Sequence, residues 1–436
     1  MQFVNEIIKE EDFIPIANKA SRNMLIFAAH FLKNKNKTLS KKYYVTSVKE
    51  SMELEDFLDD HGARNNKKWV YFGEIVASVR NFSSTAYMIS HMLSRIKFYK
   101  LNSKTTASFI KDAAAVLDFM NTSISSLFSN LNTESKNLGL TIPQGNLDEE
   151  KFDESIVAKV LPQNIDDEGV SDIHDNISRV VAEFISAFNN SRTIMFEKKL
   201  SSKNLDNKII PDKINEETLR NLEVHVHNAQ SMYDTYIQKT PFETENAMLS
   251  SLRGHISITL HLLTVAKELS HFFERHETCV RQETTRKKIA KIIQSKNVLH
   301  AVINFALYYY TLFITDGHAH ANTVLNKFTI TESEIVSVPE GLGFHLRPST
   351  LVVKVANHYG AKVTLIVNQK EFDASSVIDI MWAGGMIKKE GVTHVEFRGD
   401  KNAVKDLKIL AQANYGEDPM GNSTPLPEKI SYLRQD

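Results

Sequence analysis

The sequence predicts a multidomain chain of two unlike parts, a long all-α N-terminal region of helical bundles followed by a smaller α+β domain built as an open-faced sandwich. Three observations carry this reading. Through residue 328 proline is sparse and apolar residues recur three and four apart, the period of a helix with one buried face. After Lys327 that period gives way to short β-rich runs alternating with helix-like stretches. The length of 436 residues is enough for two to four domains at roughly 100–200 residues each.

The helices follow in order. One from about Trp69 to Lys97 presents Phe72, Val76, Val79, Ala86, Ile89, Leu93 and Ile96 on a single face. The next, from about Lys104 to Asn130, presents Phe109, Ala113, Val116, Met120, Ile124 and Leu127. Between Asn132 and Asp172 the pattern fails. That stretch holds ten Asp/Glu against three Lys, with Pro143, Gly145, Pro162 and Gly169, and reads as an acidic linker. Helical patterning resumes at about 173–191, breaks at 201–215, and continues in long segments at about 216–238, 243–276 and 282–315. Leu252, Ile256, Leu260 and Leu263 form a stripe on the middle one.

The two sides of the linker are comparable. SVRNFSSTAYMISHML at 78–93 stands against SLRGHISITLHLLTVA at 251–266, and KTTASFIK at 104–111 against ETTRKKIA at 283–290. Two copies of a four-helix unit would produce this, and so would chance likeness between amphipathic helices.

Composition narrows the function. A net charge of −1 gives no general reason to expect nucleic acid or an anionic membrane as partner. The single cysteine, Cys279, excludes a disulfide framework and a cysteine zinc cluster, and fits a reducing, cytoplasmic setting. The N-terminus lacks the basic and apolar regions of a signal peptide. Asn297–Thr315 has no charge and approaches membrane-spanning length, but it carries His300, Asn304 and three tyrosines within a helical region, so it is read as a buried bundle helix.

The chemistry concentrates in Gly343-Phe344-His345-Leu346-Arg347-Pro348-Ser349. A glycine turn follows the strand-like run 334–338, and a histidine and an arginine flank the start of a helix-like stretch near 348–358. Proline suits a first turn, where a missing N–H has no intrahelical acceptor to lose. Helix-start N–H groups and the positive dipole end make an anion site, to which Arg347 adds a guanidinium fork. A phosphate carried on the imidazole would suit such a place. Further strand-like runs at 361–367 and 392–397 and helix-like stretches at 376–385 and 401–413 give the order β, α, β, β, α, β, α.

This segment resembles the histidine-containing phosphocarrier (HPr) family of the bacterial sugar phosphotransferase system, whose active loop runs glycine, aliphatic, His, small, Arg, Pro. Ser376 follows His345 by 31 residues, the family offset for a serine opening its second helix, in SSVIDIMWAGG. The resemblance covers about 85 residues and needs no gap between the two motifs. It implies that His345 is phosphorylated on Nδ1, that Arg347 is its partner, and that Gly343, Pro348 and Ser349 form the phosphate-stabilising loop. Leu346, Thr350, Val377, Ile378 and Met381 would dock partners, although core packing of the second helix is the other reading of the last three. The implied partners are an enzyme I-like phosphoryl donor charged from phosphoenolpyruvate and an EIIA/EIIB-like or regulatory acceptor protein. An HPr kinase/phosphorylase would act on Ser376 as a regulatory site, or Ser376 is simply a helix cap. No metal or cofactor and no independent enzymatic activity is implied. The sequence departs from the family at Leu346, where a small residue is usual, at Trp382, and in a longer stretch 384–391. A phosphotransfer-inactive docking module on a helical scaffold is therefore the alternative.

The expected domains are a helical bundle at 1–132, the acidic linker at 133–172, a second bundle at 173–328, the HPr-like domain at 329–418 and a tail at 419–436. Other motifs fit structural roles better. Glu268 and His271 form half of a di-metal motif without a second half. His225 and His227 lie on different sides of a helix, His318 and His320 fit a polar helix end, and Cys279 lacks an activating context.

Overall fold

The computed structural model describes residues 7–34, 39–143, 145, 147, 152, 173–275, 283–328, 330–359 and 362–434. Residues 153–172 of the predicted acidic linker, and Cys279, lie outside them. The chain divides into two compact units, one of residues 1–164, 191–224 and 257–314, the other of residues 165–190, 225–256 and 315–436.

In the first unit, helices α1 (Glu10–Asn34), α2 (Lys41–Asp60), α3 (Val70–Arg95) and α4 (Ser103–Asn137) pack around a continuous apolar core. The predicted α4 face is buried at every named position, from Phe109 to Leu127. Asn102 caps the helix, its side chain accepting from the N–H groups of Lys104 and Thr105 at 3.0 and 3.2 Å. The helix runs past the expected end near Asn130 because nothing breaks it before Gly139. There a left-handed residue (φ +82°) lets the Leu140 N–H return to the Ser135 carbonyl at 2.8 Å. On α3 the expected face is buried except at Leu93, which is half-buried. Some of the polar groups inside this unit are paired: Arg80 Nε donates to Glu55 at 2.7 Å, and Ser47 and Ser83 share a 2.7 Å hydrogen bond.

The later chain adds α6 (Ile209–Asp212) and the start of α7 (Glu216–Tyr236) to this unit. It then adds the end of α9 (Ala247–Phe273), α10 (Glu283–Ile292), α11 (Ser295–Leu299) and a π-helical stretch, His300–Leu307, running into α12 (Tyr308–Phe328). The apolar run 297–315 lies here. Among the described residues, Ser295–Phe328 is the one helical stretch long and apolar enough to cross a membrane, and 78% of its most apolar window is buried within the protein. Its polar residues explain why: Asn304 bonds both the N–H and the carbonyl of Leu200 at 2.7 and 2.8 Å, and Tyr309 donates to Asp112 at 2.7 Å. A helix that exchanges fixed hydrogen bonds with neighbouring chain is one that packs in protein.

The second unit begins with α5 (Ile173–Asn190) and holds α8 (Pro241–Glu245), parts of α7, α9 and α12, and the sandwich. Arg253 binds Asp234 through Nε at 2.8 Å. Arg80 and Arg253 occupy the same place in the two similar segments 78–93 and 251–266, and each binds an acid on the long helix before it. The likeness does not extend to the helices that follow: α4 is unbroken, whereas the stretch from α10 to α12 is interrupted at residues 293–294 and passes through the π-helical stretch.

The sandwich has strands β1 (Thr331–Ser337), β2 (Val363–Val367), β3 (Lys370–Asp373) and β4 (His394–Asp400), all antiparallel in the order β1-β4-β2-β3. Helices α13 (Leu346–Tyr359), α14 (Val377–Glu390) and α15 (Lys401–Gln412) share its core. Val363, Leu365, Val367, Val395 and Phe397 alternate along β2 and β4 and face that core, as the two-residue period of a half-covered sheet requires. The chain beyond 418, expected as a tail, packs on this domain through Arg434. Ile430 and Leu433 enter the core, and the hydroxyls of Tyr359 and Tyr432 both donate to Asp406 Oδ2, at 2.7 and 2.8 Å.

Candidate functional site

His345 stands between β1 and α13. The loop reaches it through two left-handed glycines, Gly341 (φ +80°) and Gly343 (φ +67°), conformations that side chains with a Cβ disfavour. Phe344 anchors the loop by packing into the core against Tyr415, ring centres 5.0 Å apart. The His345 carbonyl accepts the Ser349 N–H at 3.1 Å, so the histidine occupies the capping position of α13 and Pro348 falls in its first turn.

The imidazole is about one-third exposed (34%) and lies between two oxygens. Nδ1 is 3.0 Å from the Gly343 carbonyl, and Nε2 is 3.2 Å from Oε1 of Glu417. The same Glu417 oxygen is 3.4 Å from Nη1 of Arg347, which also approaches the Gly421 carbonyl at 3.4 Å. The guanidinium is half exposed, whereas the Glu417 side chain is almost wholly buried, at 2%. These three side chains, with Leu346, Thr350, Leu351, Lys354 and Gly421, line an open depression of about 550 Å³. A ring one-third exposed, a guanidinium and a lysine around open space can receive an anionic group.

The other predicted residues fall into distinct places. Leu346 is exposed (62%), and so are Ile378, Met381 and, most of all, Trp382 (72%). The core face of α14 is formed instead by Ile380, Ala383 and Ile387, and of the three residues with two readings only Val377 is half-buried. Thr350 is half-buried, its hydroxyl donating to the Leu346 carbonyl at 2.7 Å. Ser376 is the N-cap of α14, its hydroxyl accepting from the Asp379 N–H at 3.2 Å. Ser349 is fully buried, and its hydroxyl has no hydrogen-bond partner among the described residues. Its side chain therefore does not face the depression, and the loop offers Arg347 there instead.

Glu417 is the residue that the sequence reading missed. It follows the last helix in the turn-rich run NYGEDPMGN, and no local pattern marks it as different from a surface acid. Two left-handed residues before it, Asn414 and Tyr415, were the available hint of a tightly built turn, since Asn is a residue that tolerates this region.

The side chains set aside elsewhere are engaged. Glu268 sits between Lys267 at 3.6 Å and Arg80 at 3.9 Å, and burial pushes its carboxyl up from the ordinary range. His225 faces Glu183 at 3.4 Å, His320 faces the Met248 carbonyl at 2.9 Å, and His318 stacks on Phe188 at 4.0 Å. Among the described residues no three His, Cys, Asp or Glu side chains gather as metal ligands do.

An antiparallel four-stranded sheet covered by helices, with a histidine capping the first of them, defines a small α+β sandwich domain. Residues 332–412 match the family described as "PTS HPr component phosphorylation site", and the C-terminal domain is HPr-like. The match ends before Glu417. No curated protein matches the chain, and no solved structure does.

Proposed function

We propose that this protein accepts a phosphoryl group on His345 from a phosphohistidyl, enzyme I-like donor and passes it to an acceptor protein or uses it as a signal. The observation that supports this most is the partly exposed imidazole at the head of α13, which shares the Glu417 oxygen with Arg347 inside a segment similar to a phosphorylation-site family. The ring attacks in line, its Nδ1–P bond forming as the donor's N–P bond breaks. Arg347 balances the added charge. Exposed Leu346, Ile378, Met381 and Trp382 would contact the donor, the EIIA/EIIB-like or regulatory acceptor, and, if Ser376 is modified, an HPr kinase/phosphorylase. Such donors are charged from phosphoenolpyruvate, and a cytoplasmic setting would suit them. The helical region would act as the scaffold or output module.

The test is incubation with enzyme I and labelled phosphoenolpyruvate. Acid-labile, alkali-stable label that vanishes in His345→Ala supports the proposal. A folded chain that takes no label from a competent donor of the same organism would replace it with the docking-module alternative, for which bulky Leu346 and Trp382 leave room.

A further inference from the structure

Glu417 comes from outside the segment that matches the family, yet it touches both groups on which the proposed chemistry rests. We infer that Glu417 is a positioning residue that fixes a proton on Nε2 of His345, so that Nδ1 is the nitrogen that accepts and later releases the phosphoryl group. The inference depends on the proposed role of His345 and adds the reason for the choice of nitrogen.

The argument starts from the two oxygens around the ring. Nε2 faces a carboxylate at 3.2 Å and Nδ1 faces a peptide carbonyl at 3.0 Å. Both contacts are satisfied together only when both nitrogens carry protons. When the ring loses one, the two positions are unequal. A hydrogen bond to an ionised carboxylate is roughly twice as strong as one to a neutral carbonyl. The proton is therefore kept at Nε2 and leaves from Nδ1. A bare Nδ1 then confronts the lone pairs of the Gly343 carbonyl, a repulsive contact that leaves the Nδ1 lone pair without a donor and free to bond phosphorus.

Phosphoryl transfer then balances. The Nδ1 lone pair forms the bond to phosphorus while the donor nitrogen takes back its bonding pair, leaving a ring that is phosphorylated on Nδ1, protonated on Nε2 and positively charged. The Glu417 carboxylate opposes that charge. On release to an acceptor or to water, the N–P bond pair returns to Nδ1 and the ring departs as neutral imidazole, the better leaving group, because Nε2 has kept its proton. Without the carboxylate the adduct loses that proton more readily and would have to leave as an anion.

Glu417 is held for this task. Its neighbour Tyr415 is fully buried and donates to the Ser337 carbonyl at 2.9 Å. Asn414 accepts the Glu340 N–H at 2.8 Å, and Glu417 itself pairs across an antiparallel bridge with Ser423. The loop also passes so close to Gly341 that a Cβ there would lie 2.3 Å from the Pro419 carbonyl oxygen. A carboxylate 2% exposed on a segment tied at both ends cannot swing into solvent as a surface acid does.

The test uses the full chain and the isosteric Glu417→Gln, which keeps an acceptor oxygen but removes the charge, with Glu417→Asp as a second variant. Each is labelled with enzyme I and labelled phosphoenolpyruvate, and the imidazole nitrogens of the unlabelled proteins are read by 15N NMR. We expect Glu417→Gln to be labelled about tenfold more slowly, its adduct to hydrolyse about tenfold more slowly at neutral pH, and its neutral ring to gain the Nδ1–H tautomer, with Glu417→Asp in between. Equal label lifetimes and equal tautomer populations in folded wild type and Glu417→Gln overturn this inference while leaving the role of His345 intact. Absence of label from the wild type, with the tautomer shift still present, overturns the phosphocarrier reading instead.

Discussion

Gly384 on α14 lies so close to Phe344 that a Cβ there would stand 2.6 Å from the Phe344 carbonyl oxygen. Phe344 is the residue before His345, so the helix bearing the exposed Met381 and Trp382 fixes the backbone of the histidine loop by direct contact. Backbone cannot yield as a flexible side chain can. Gly384→Ala is expected to destabilise the domain by about 2 kcal/mol or more and to displace the loop. Gly385 is the internal control, since a Cβ there meets nothing within 4 Å. Gly385→Ala should leave the loop unchanged and stabilise α14 by up to about 1 kcal/mol. Denaturant melts and the NMR signals of His345 separate the two, and equal behaviour of the variants would refute the contact.

Arg347 shares the Glu417 oxygen with the imidazole, so Glu417 already occupies one of its nitrogens. Arg347→Ala should lower the rate of label uptake about 10–100-fold, the loss expected for one strong charge-assisted contact to a developing anion. Arg347→Lys should recover only part of it, because an ammonium cannot span phosphate and carboxylate as a planar fork can. Full activity in Arg347→Ala would place the phosphate elsewhere.

The extent to which this site could be read from sequence follows the range of its interactions. The glycine turn, the histidine, the arginine and the first-turn proline are neighbours in the chain, and Ser376 opens a helix whose cap is local. The strand and helix order followed for the same reason, since each element declares itself by its own period. Glu417 is different. Its meaning depends on a contact with a residue 72 positions earlier, and its segment is held by a bridge to Ser423, which lies beyond it. The same holds for Ser349, whose sequence position suggested a phosphate ligand but whose hydroxyl is turned inside. Exposure of Ile378 and Met381, against burial of Ile380 and Ala383, was open in the sequence because both sets are apolar and only the helix register against the sheet separates them.

Ser376 allows capping and regulation to be separated. Ser376→Ala removes the side-chain acceptor of the Asp379 N–H and should cost about 1 kcal/mol of domain stability while leaving label uptake near that of the wild type. Ser376→Asp keeps a capping oxygen and adds negative charge beside exposed Ile378 and Met381. It should melt like the wild type and accept label from enzyme I more slowly. Identical uptake in all three proteins would leave Ser376 as a cap alone.

Alkaline conditions should loosen the fold, and the sign follows from its tyrosines. Burial pushes the Tyr44 phenol up to about 12, and Tyr233, Tyr310 and Tyr415 are also raised by burial. Tyr359 and Tyr432 are raised first by burial and then by the Asp406 carboxylate to which both donate. A phenol whose folded value exceeds its unfolded value of about 10 keeps its proton longer in the native state. Above that pH the unfolded chain binds fewer protons than the folded one, so stability is complete below about pH 10 and falls as pH rises beyond it. The C-terminal segment supplies the local test, because Tyr432 is its link to Asp406. Tyr432→Phe loses a hydrogen bond worth about 1 kcal/mol at neutral pH, more if Asp406 is left underpartnered, but it also loses one alkaline-sensitive group. Its melting temperature should therefore lie below the wild type's near pH 7 and converge on it above pH 10. A constant gap across that range would show that the Tyr432 phenol is no more alkaline-sensitive in the folded chain than in the unfolded one.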